Sequence, residues 1–506
     1  MKRNLFNLMA IVAIAAATLV ACQPTQEPTD ETNRNWSEDG GLRAADNLLF
    51  GDTIGNGDDE FVFTGTQTLK KGKYLLHGWV YIADGATLTI EPGTVILGDK
   101  DTKASLIVER GGKLYAKGTA SEPIVFTSEQ PKGQRRPGDW GGLILCGRAN
   151  NNQTEQQIEG GPRSKHGGND NADCSGALSY VRVEFAGYPF QTDKEINGIT
   201  LGSVGSSTQI DHVQVSYSND DSFEWFGGAV NCQYLVAYHG WDDDFDTDNG
   251  FSGHVQFGLS VRNSRLADVS QSNGFESDNC ADGASVSPYT TCVFSNMTFI
   301  GPKADAQFQN NADYINGGDF FPNNGSSLGK FQAGMHLRRN TRLCCFNSVF
   351  AGWPIGIIVD NEKGNSWQAA KDGLLQVQNT WIVDADILGS DMNKQYKDSC
   401  ALDYKEKTFD PSKPYSFSHE FFLSQTGNRQ ATAAEAMLNF VYPDRSGSQS
   451  IGSNYMPQSG SPLLTAAAFT ASALNGFQPV SYVGAFDASN DWTKGWTNFD
   501  PQNTDY

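Results

Sequence analysis

The feature that most constrains the fold is an acidic motif that occurs three times in the middle of the chain. Its copies read NDDSFEWFGG at residues 219–228, WDDDFDTDNG at residues 241–250 and, in a shorter form, NGFESDN at residues 273–279. The first two copies place Phe223 and Phe245 22 residues apart. A fixed period of this size is typical of repeat architectures. The motif therefore predicts stacked turns of one repeating structure.

Short apolar runs separated by Gly, Asn and Asp extend over most of the chain. Residues 85–94 and 111–119 share an order of glycine, small, apolar, polar and apolar residues, and DWGG at residues 139–142 continues it. Alternation of this kind between turn residues favours β-strands. We predict an all-β fold, a right-handed parallel β-helix with coils of unequal length. A propeller or sandwich is the alternative, but the 22-residue repeat is too short for a four-stranded blade.

Aligning the three copies predicts which residues share a face. Phe223, Phe245 and Phe275 fall in one column, and the next residue of each copy is acidic. Because side chains alternate along a strand, the phenylalanines can point into the core while the carboxylates point outward together.

This acidic segment lacks compensating charge in the sequence. Between Lys194 and Arg262 there is no Lys or Arg, although ten acidic residues fall there. Calcium, which takes six to eight oxygen ligands, would relieve the repulsion, whereas the simpler alternative is that Asp and Asn occupy solvated turns. We predict calcium as the cofactor. The predicted metal ligands are Asp220, Asp221, Glu224, Asp242, Asp243, Asp246, Asp248, Glu276 and Asp278.

The N-terminal segment resembles a bacterial lipoprotein signal. Lys2 and Arg3 precede an apolar run at residues 8–20, and LVAC at residues 19–22 ends it. This resemblance implies a signal peptide at residues 1–21 and lipidation of Cys22, with a lipid anchor in the cell outer membrane. We predict a polar, disordered tether at residues 22–50, the β-helix at residues 51–400, and a loop-rich C-terminal cap with the final coils at residues 401–506.

Net charge narrows the range of partners. The formal charge of -21 argues against nucleic acid and anionic membrane as partners. An extracellular polysaccharide or another surface polymer is compatible with it. The acidic patch after Cys22 resembles the surface-export signal of Bacteroidota lipoproteins, which implies exposure at the cell surface.

Three further predictions concern single segments. Residues 431–440 have the pattern of a helix, and the aromatic residues after them predict a cap over the open end of the coils. A sugar-stacking platform of Trp492 and Trp496 is the alternative for that end of the chain. Cys280 and Cys292 bracket one short loop and are the predicted disulfide.

The first copy also resembles a known motif. NDDSFE at residues 219–224 resembles the Asn-Asp-Asp-Gly-x-Asp calcium motif of one family of pectate lyases. These enzymes are parallel β-helices that bind polyuronate through calcium and use a Lys as base. The resemblance implies that Asp220, Asp221 and Glu224 bind calcium. Ser222 stands in place of the Gly and Glu224 in place of the Asp.

The catalytic base of such a lyase is not evident in the sequence. No Lys follows the motif before Lys303, so Arg262 and Arg265 are the nearest candidates. Trp225 and Trp241, beside the acidic residues, are candidates either for stacking on a sugar ligand or for core packing.

Over most of its length the chain resembles Bacteroidota surface lipoproteins of unassigned activity. The segments that carry this resemblance include DWGG at residues 139–142 and GWTNFDP at residues 495–501. The first hypothesis is a lipoprotein that binds an extracellular polymer, a glycan, through a calcium-binding acidic face. The second is a calcium-dependent polysaccharide lyase, or a glycoside hydrolase using a pair such as Asp221 and Asp243. A structural accessory of an outer-membrane transporter is the third.

Overall fold

The structure is a computed structural model. It describes residues 44–153, 156–158, 161, 163–191, 194–318, 327–387, 416–442 and 452–506. The predicted signal peptide, the predicted lipidation site Cys22 and most of the predicted tether lie outside these residues. Within the described ranges, no helix has both the length and the apolar character needed to cross a membrane.

The chain forms coils whose strands pair in parallel, and this confirms the prediction of an all-β parallel β-helix. Each coil contributes one short strand to the first sheet, which has eleven strands in the described part of the chain. These strands are Ala44–Ala45, Phe61–Phe63, Trp79–Ile82, Ser105–Val108, Gly142–Cys146, Ile199–Gly202, Phe223–Phe226, Phe245–Asp248, Phe275–Ser277, Ala333–Leu337 and Ile355–Val359.

The second sheet forms the remaining walls of the coils. Its strands are Leu49–Phe50, Thr53–Ile54, Thr66–Leu69, Lys73–Leu76, Thr87–Ile90, Val95–Gly98, Lys113–Lys117, Ile124–Ser128, Gly176–Glu184, Gln209–Ser216, Cys232–Tyr238, His254–Val261, Val293–Ile300, Cys344–Phe346, Val349–Ala351, Gln376–Gln378, Trp381–Val383 and Arg429–Ala431. A separate hairpin joins Pro189–Gln191 to Lys194–Glu195. Strand Ala44–Ala45 precedes residue 51, and strand Arg429–Ala431 lies in the segment after residue 400 that is predicted to hold the final coils.

Aromatic rings fill the interior behind the acidic motif. Phe223, Phe245 and Phe275 are buried in one column, with ring centroids 5.4 Å and 6.0 Å apart. Phe294 and Phe299, from the second sheet, meet Phe245 edge-on. The predicted inward column is confirmed, and it sets the direction of the acidic residues beside it.

A column of left-handed residues bends the longer strands of the second sheet. Tyr180, His212, Tyr234 and Phe257 occupy equivalent positions in four successive coils and all have φ between 51° and 63°. This conformation costs roughly 1–2 kcal/mol for a non-glycine residue. The centroids of neighbouring rings in this column lie 4.3, 4.5 and 5.1 Å apart, and each stacked pair stabilises the fold by about 0.5–1.5 kcal/mol. Stacking thus offsets much of the strain of the bend.

The C-terminal segment is loop-rich, as predicted, and lies along the flank of the coils. Main-chain oxygens of this segment accept hydrogen bonds from side chains of several different coils. These contacts join Ala468 to Asn347, Tyr482 to Asn296, Gln478 to Gln256, Asn498 to Gln214 and Pro501 to Arg135. The segment therefore ties late coils to early ones.

Helices are few and short. The predicted helix at residues 431–440 is reduced to Ala433–Ala436, which begins with a capping box between Thr432 and Glu435 and ends at Met437 in the left-handed conformation. Two helices, Ser366–Lys371 and Phe417–Ser424, were not predicted from the sequence.

The unpredicted helices cover the last strand of the first sheet. Ser418 accepts a hydrogen bond from the amide of Val359 (2.7 Å), and Trp367 donates to the carbonyl of the same residue (2.8 Å). Trp367 and Phe417 stack at 4.7 Å. The final edge of the sheet is therefore partnered rather than exposed.

The aromatic column predicts a large stability cost for truncating its central ring. Phe245→Ala leaves a cavity among Phe223, Phe275 and Phe299, so we expect a loss of about 3–5 kcal/mol in the free energy of unfolding. Urea denaturation followed by circular dichroism would measure it.

The matched control is Phe50→Ala, because the Phe50 ring is 54% exposed. Its cost should stay below about 1 kcal/mol. Equal shifts in the two variants would contradict a core role for the column.

Candidate metal centre

The register of the first sheet brings the acidic residues of the three motif copies together. Phe245 pairs with Phe223 on one side and with Phe275 on the other, and Asp246 pairs in the same way with Glu224 and Glu276. The alignment predicted from the sequence is the register of the structure.

Strand alternation then points the carboxylates outward. In Phe223–Phe226 and Phe245–Asp248, buried residues alternate with half-buried ones, and the acidic residues are half-buried. Neighbouring strands are about 4.8 Å apart. Glu224, Asp246 and Glu276 therefore form one closely spaced outward column.

The loops before these strands stack as well and add further carboxylates. The amide of Ser222 donates to the carbonyl of Asp243 (2.9 Å). The carboxylate of Asp221 accepts from the amide of Asp243 (2.8 Å), and that of Asp243 accepts from the amide of Asn273. Asp221 and Asp243 are thus each held in place by the backbone of the next coil.

All nine predicted metal ligands line one cavity of about 240 Å³. Asp221, Asp243 and Asp278 are buried, and the other six are half-buried. Ile158, Asn197, Phe226, Ser270, Arg338 and Arg339 complete the wall. The structure therefore brings the nine predicted residues together on one shared acidic surface. That surface is a recess rather than an open face.

Seven of the nine carboxylates form groups close enough to hold a cation. The groups are Asp220 with Asp221 and Asp242, Asp221 with Glu224 and Asp246, and Asp243 with Asp246 and Glu276. In each group the ligand oxygens lie within 4.8 Å of one another. Asp221 and Asp246 are shared between groups, so the three positions are contiguous.

Two buried oxygens in the cavity fit a cation directly. Oδ1 of Asp242 and Oδ1 of Asp246 have no hydrogen-bond partner among the described residues. The other oxygen of Asp242 accepts a hydrogen bond from Ser270 (2.7 Å), which orients the carboxylate. Because a buried carboxylate oxygen without a partner is costly, these two oxygens fit a metal ion.

Burial and mutual repulsion raise the carboxyl pKa values here. The pKa values of Asp221, Asp242, Asp246 and Asp278 are raised well above their ordinary range, first by burial. For Asp221, Asp242 and Asp246, the charge of neighbouring carboxylates is the next cause. The cluster therefore disfavours its own ionisation, and a bound cation would reverse that preference.

Sequence reasoning missed the two arginines that close one end of the cavity. Arg338 pairs with Asp278 (2.9 Å) and Glu276, and Arg339 pairs with Asp278 (2.6 Å). They follow strand Ala333–Leu337, where Met335 pairs with Phe275. The signal was available in the sequence as a fourth copy of the motif, GMHLRRN at residues 334–340, in which basic residues replace the acidic ones.

Comparison with known families agrees with this geometry. Residues 62–413 match the family model described as the pectate-lyase like beta helix domain. The chain belongs to this family. No curated protein and no solved structure shows a significant match to the chain.

Two residues predicted as candidate bases have other roles in this pectate-lyase-like helix. Arg262 is fully buried, and its guanidinium pairs with Asp244 (2.8 Å) and donates to the carbonyls of Asp242 (2.5 Å) and Trp241 (3.1 Å). A guanidinium enclosed in this way cannot reach a ligand, so the prediction for Arg262 is wrong. Arg265 lies over the ring of Tyr314 at 4.5 Å and is not among the described residues that line the cavity.

The predicted stacking role of two tryptophans is also wrong. Trp225 and Trp241 are fully buried, and Trp225 stacks on Phe251 at 5.4 Å. Their rings serve the core and cannot meet a sugar. Trp496, from the alternative platform, is buried too, while Trp492 is half-buried and stacks on Phe486.

Cys280 and Cys292 are both free thiols, which contradicts the predicted disulfide. The thiol of Cys280 turns toward its own loop and donates to Asp282 (3.1 Å). Cys292 is fully buried beside the strands of the second sheet. Proximity in sequence misled here because the two side chains point to different environments. Cys174 is disulfide-bonded.

The raised carboxyl pKa values predict that the metal-free protein loses stability as the pH rises. These pKa values exceed the unfolded value near 4, so the folded chain keeps protons that the unfolded chain has released. In EDTA, the melting temperature should therefore fall between about pH 5 and pH 8. Scanning calorimetry would measure the slope.

The variant carrying Asp221→Asn and Asp243→Asn removes two of the titrating carboxyls, so its slope should be shallower. Calcium should raise the melting temperature more at the upper pH, because protons compete for the same oxygens. Identical slopes in both proteins would contradict a titrating cluster.

Proposed function

We propose that this chain is a lipid-anchored outer-membrane protein whose β-helix holds calcium in the acidic cavity and binds an extracellular polysaccharide there. The observation that carries the proposal is the convergence of nine carboxylates and two guanidinium groups on one cavity. This leaves a formal excess of seven negative charges in about 240 Å³. Divalent cations are the natural counterions for such a site.

The donor set favours calcium among the divalent cations. The three candidate groups consist of carboxylates alone, and these come from neighbouring coils. Oxygen-only sites suit calcium and magnesium rather than zinc or copper. Magnesium demands near-ideal octahedral geometry and keeps several waters, whereas calcium accepts six to eight oxygens in irregular arrangements. Shared, closely packed carboxylates therefore fit calcium best.

The size of the cavity limits how a polymer can reach the metal. Pockets that enclose an organic ligand usually measure about 300–1,000 Å³, and this one is smaller. A sugar ring would stay outside while its acidic group or hydroxyls reach the cation. The half-buried carboxylates, among them Asp220, Asp242 and Asp248, lie where such a group would arrive. Bound calcium would supply the positive charge that lets an acidic glycan approach a protein of charge -21.

Family membership and the N-terminal sequence support the other parts of the proposal. The family's resemblance to pectate lyases supports a polysaccharide as the partner. The LVAC sequence that ends at Cys22 supports the lipid anchor.

A calcium-dependent lyase is the second candidate, and one observation favours it. Arg338 lines the same cavity as the carboxylates, and its pKa is lowered by burial and by the charge of Arg339. A guanidinium with a lowered pKa beside a metal site is a candidate base. Its ion pairs with Glu276 and Asp278 oppose this role, because they stabilise its charged form. Binding without chemistry therefore remains the first proposal.

Calcium titration of the EDTA-treated protein tests the metal centre. We expect heat of binding by calorimetry, and stabilisation by about 2.7 kcal/mol at a calcium concentration of 100 times Kd. Asp221→Asn combined with Asp243→Asn should abolish most of both signals, because each of the three groups contains one of these two aspartates. The control Asp52→Asn changes an exposed residue of the first coils and should behave as wild type.

The same proteins then test the polymer with polygalacturonate, with and without calcium. Polymer binding that requires calcium and is lost in the double variant would support the proposal. Calcium binding without polymer binding would contradict the part of the proposal that concerns a polysaccharide. New ultraviolet absorbance from unsaturated uronates, if it is lost in Arg338→Lys, would show that the protein is a lyase rather than a binding protein without catalytic activity. An unchanged calcium response in the double variant would exclude the metal centre.

The anchor is tested separately by palmitate labelling in a bacterium with an outer membrane. The wild-type chain should carry the label and sediment with membranes, whereas Cys22→Ser should lose the label and become soluble. Cys280→Ser is the matched control and should keep the label. A labelled Cys22→Ser chain would contradict lipidation at this residue.

A further inference from the structure

A second cavity lies on the other sheet, between the coils and the C-terminal segment. It measures about 520 Å³ and opens at the beginnings of strands Gln209–Ser216, Cys232–Tyr238 and His254–Val261. Phe477 and Gln478 of the C-terminal segment form its far wall. Its volume is in the range of pockets that enclose a small organic ligand. We refer to it as the flank cleft.

The far wall of the flank cleft is fixed rather than loosely apposed. Gln256 donates from Nε2 to the carbonyl of Gln478 (2.8 Å), and its Oε1 accepts from the amide of Gln478 (2.9 Å). Next to this contact, the ring of Phe477 stacks on His254 at 4.8 Å. The C-terminal segment and the coils therefore hold the cleft open at a set width.

One end of the flank cleft carries an oriented carboxylate. Asp211 accepts hydrogen bonds from Ser179 (2.8 Å), Gln209 (2.7 Å) and His212 (2.8 Å). A carboxylate offers about four acceptor positions, and these bonds occupy three. The remaining position is fixed in direction and belongs to Oδ2, which accepts only from Gln209 among these three donors.

An amide and aromatic edges lie beside that carboxylate. Gln233 lines the cleft, and its side-chain amide makes no hydrogen bond within the described part of the chain. Tyr234 and His212 contribute ring edges, because their faces are used by the stacking column of the second sheet. The lining thus combines apolar carbon with a few convergent polar groups, the usual composition of a ligand site.

Charge decides the class of ligand. The described residues that line the flank cleft include Asp211 but no Lys or Arg. An anionic ligand would meet Asp211 and a chain of formal charge -21, with no cation to receive it. A ligand rich in hydroxyl donors suits an acceptor carboxylate and a free amide, and its C–H surface suits the wall of Phe477 and His254.

We propose that the flank cleft binds an uncharged sugar unit, with Asp211 and Gln233 receiving its hydroxyls and the wall of Phe477 and His254 packing on its C–H face. This site is separate from the metal centre, whose ligands lie on the first sheet and on the loops before its strands. Its occupation is independent of calcium. Failure of the calcium proposal would therefore leave it standing.

Isothermal calorimetry of the full chain in EDTA tests the flank cleft with defined probes. The probes are the neutral hexasaccharides of glucose, mannose and xylose, with hexagalacturonate and a glucosamine hexamer as charged comparators. We expect at least one neutral probe to bind without calcium and hexagalacturonate not to bind. Lack of binding by every neutral probe, or binding by the glucosamine hexamer alone, would overturn the proposal.

Two variants locate the site. Asp211→Asn and Gln233→Ala should each weaken binding of the neutral probe, the first by about tenfold or more, because a hydrogen bond to a charged group is stronger than one to a neutral group. Gln233→Ala removes no internal hydrogen bond, so it tests the site even if Asp211→Asn unfolds the protein. Asp52→Asn is the control. Unchanged affinity in Gln233→Ala together with unchanged affinity in a folded Asp211→Asn would place the binding elsewhere and overturn the proposal.

Discussion

Repulsion between stacked carboxylates is the constraint on which the centre of this molecule depends. A parallel β-helix places equivalent residues of neighbouring coils about 4.8 Å apart, so a repeated acidic residue becomes a column of like charges. Two such charges repel by about 1 kcal/mol even at the dielectric constant of water, and by more in a partly buried site. Glu224, Asp246 and Glu276 form this column, and the loop aspartates crowd it further.

The fold opposes this repulsion in two ways. Behind the acidic column, buried rings of Phe223, Phe245 and Phe275 hold the coils in register. At the C-terminal end of the column, Arg338 and Arg339 pair with Glu276 and Asp278. These pairs neutralise one end of the cavity, but its lining still combines nine carboxylates with only two guanidinium groups among the described residues. That imbalance is what directs our functional proposal to a cation.

Arg262 holds the loop of the second motif copy in place from outside the acidic cavity. It is buried with Asp244, whose pKa is raised to about 6 by burial even though Arg262 stabilises its charge. By donating to the carbonyls of Trp241 and Asp242, it fixes the backbone that carries the second copy of the motif. The C-terminal segment acts on a larger scale, because it joins distant coils and forms one wall of the flank cleft.

The sequence alone determined the coil architecture and which carboxylates line the candidate metal centre. The 22-residue spacing of Phe223 and Phe245 is a local property that survives folding as strand register, and strand alternation then assigns the acidic residues to one side. For this reason all nine predicted acidic residues meet in one cavity. The fourth copy of the motif is also present in the sequence, but basic residues occupy its acidic positions.

Only the tertiary structure decided which neighbours face each other across loops and sheets. Whether Trp241 faces solvent or core, and whether Cys280 meets Cys292, depends on the paths of loops that no period describes. The closure of the acidic surface into a recess, and the flank cleft formed with Phe477, bring together residues that are far apart in the chain. Such contacts follow from packing of the whole molecule, because burial and pairing are set by distant segments rather than by local pattern.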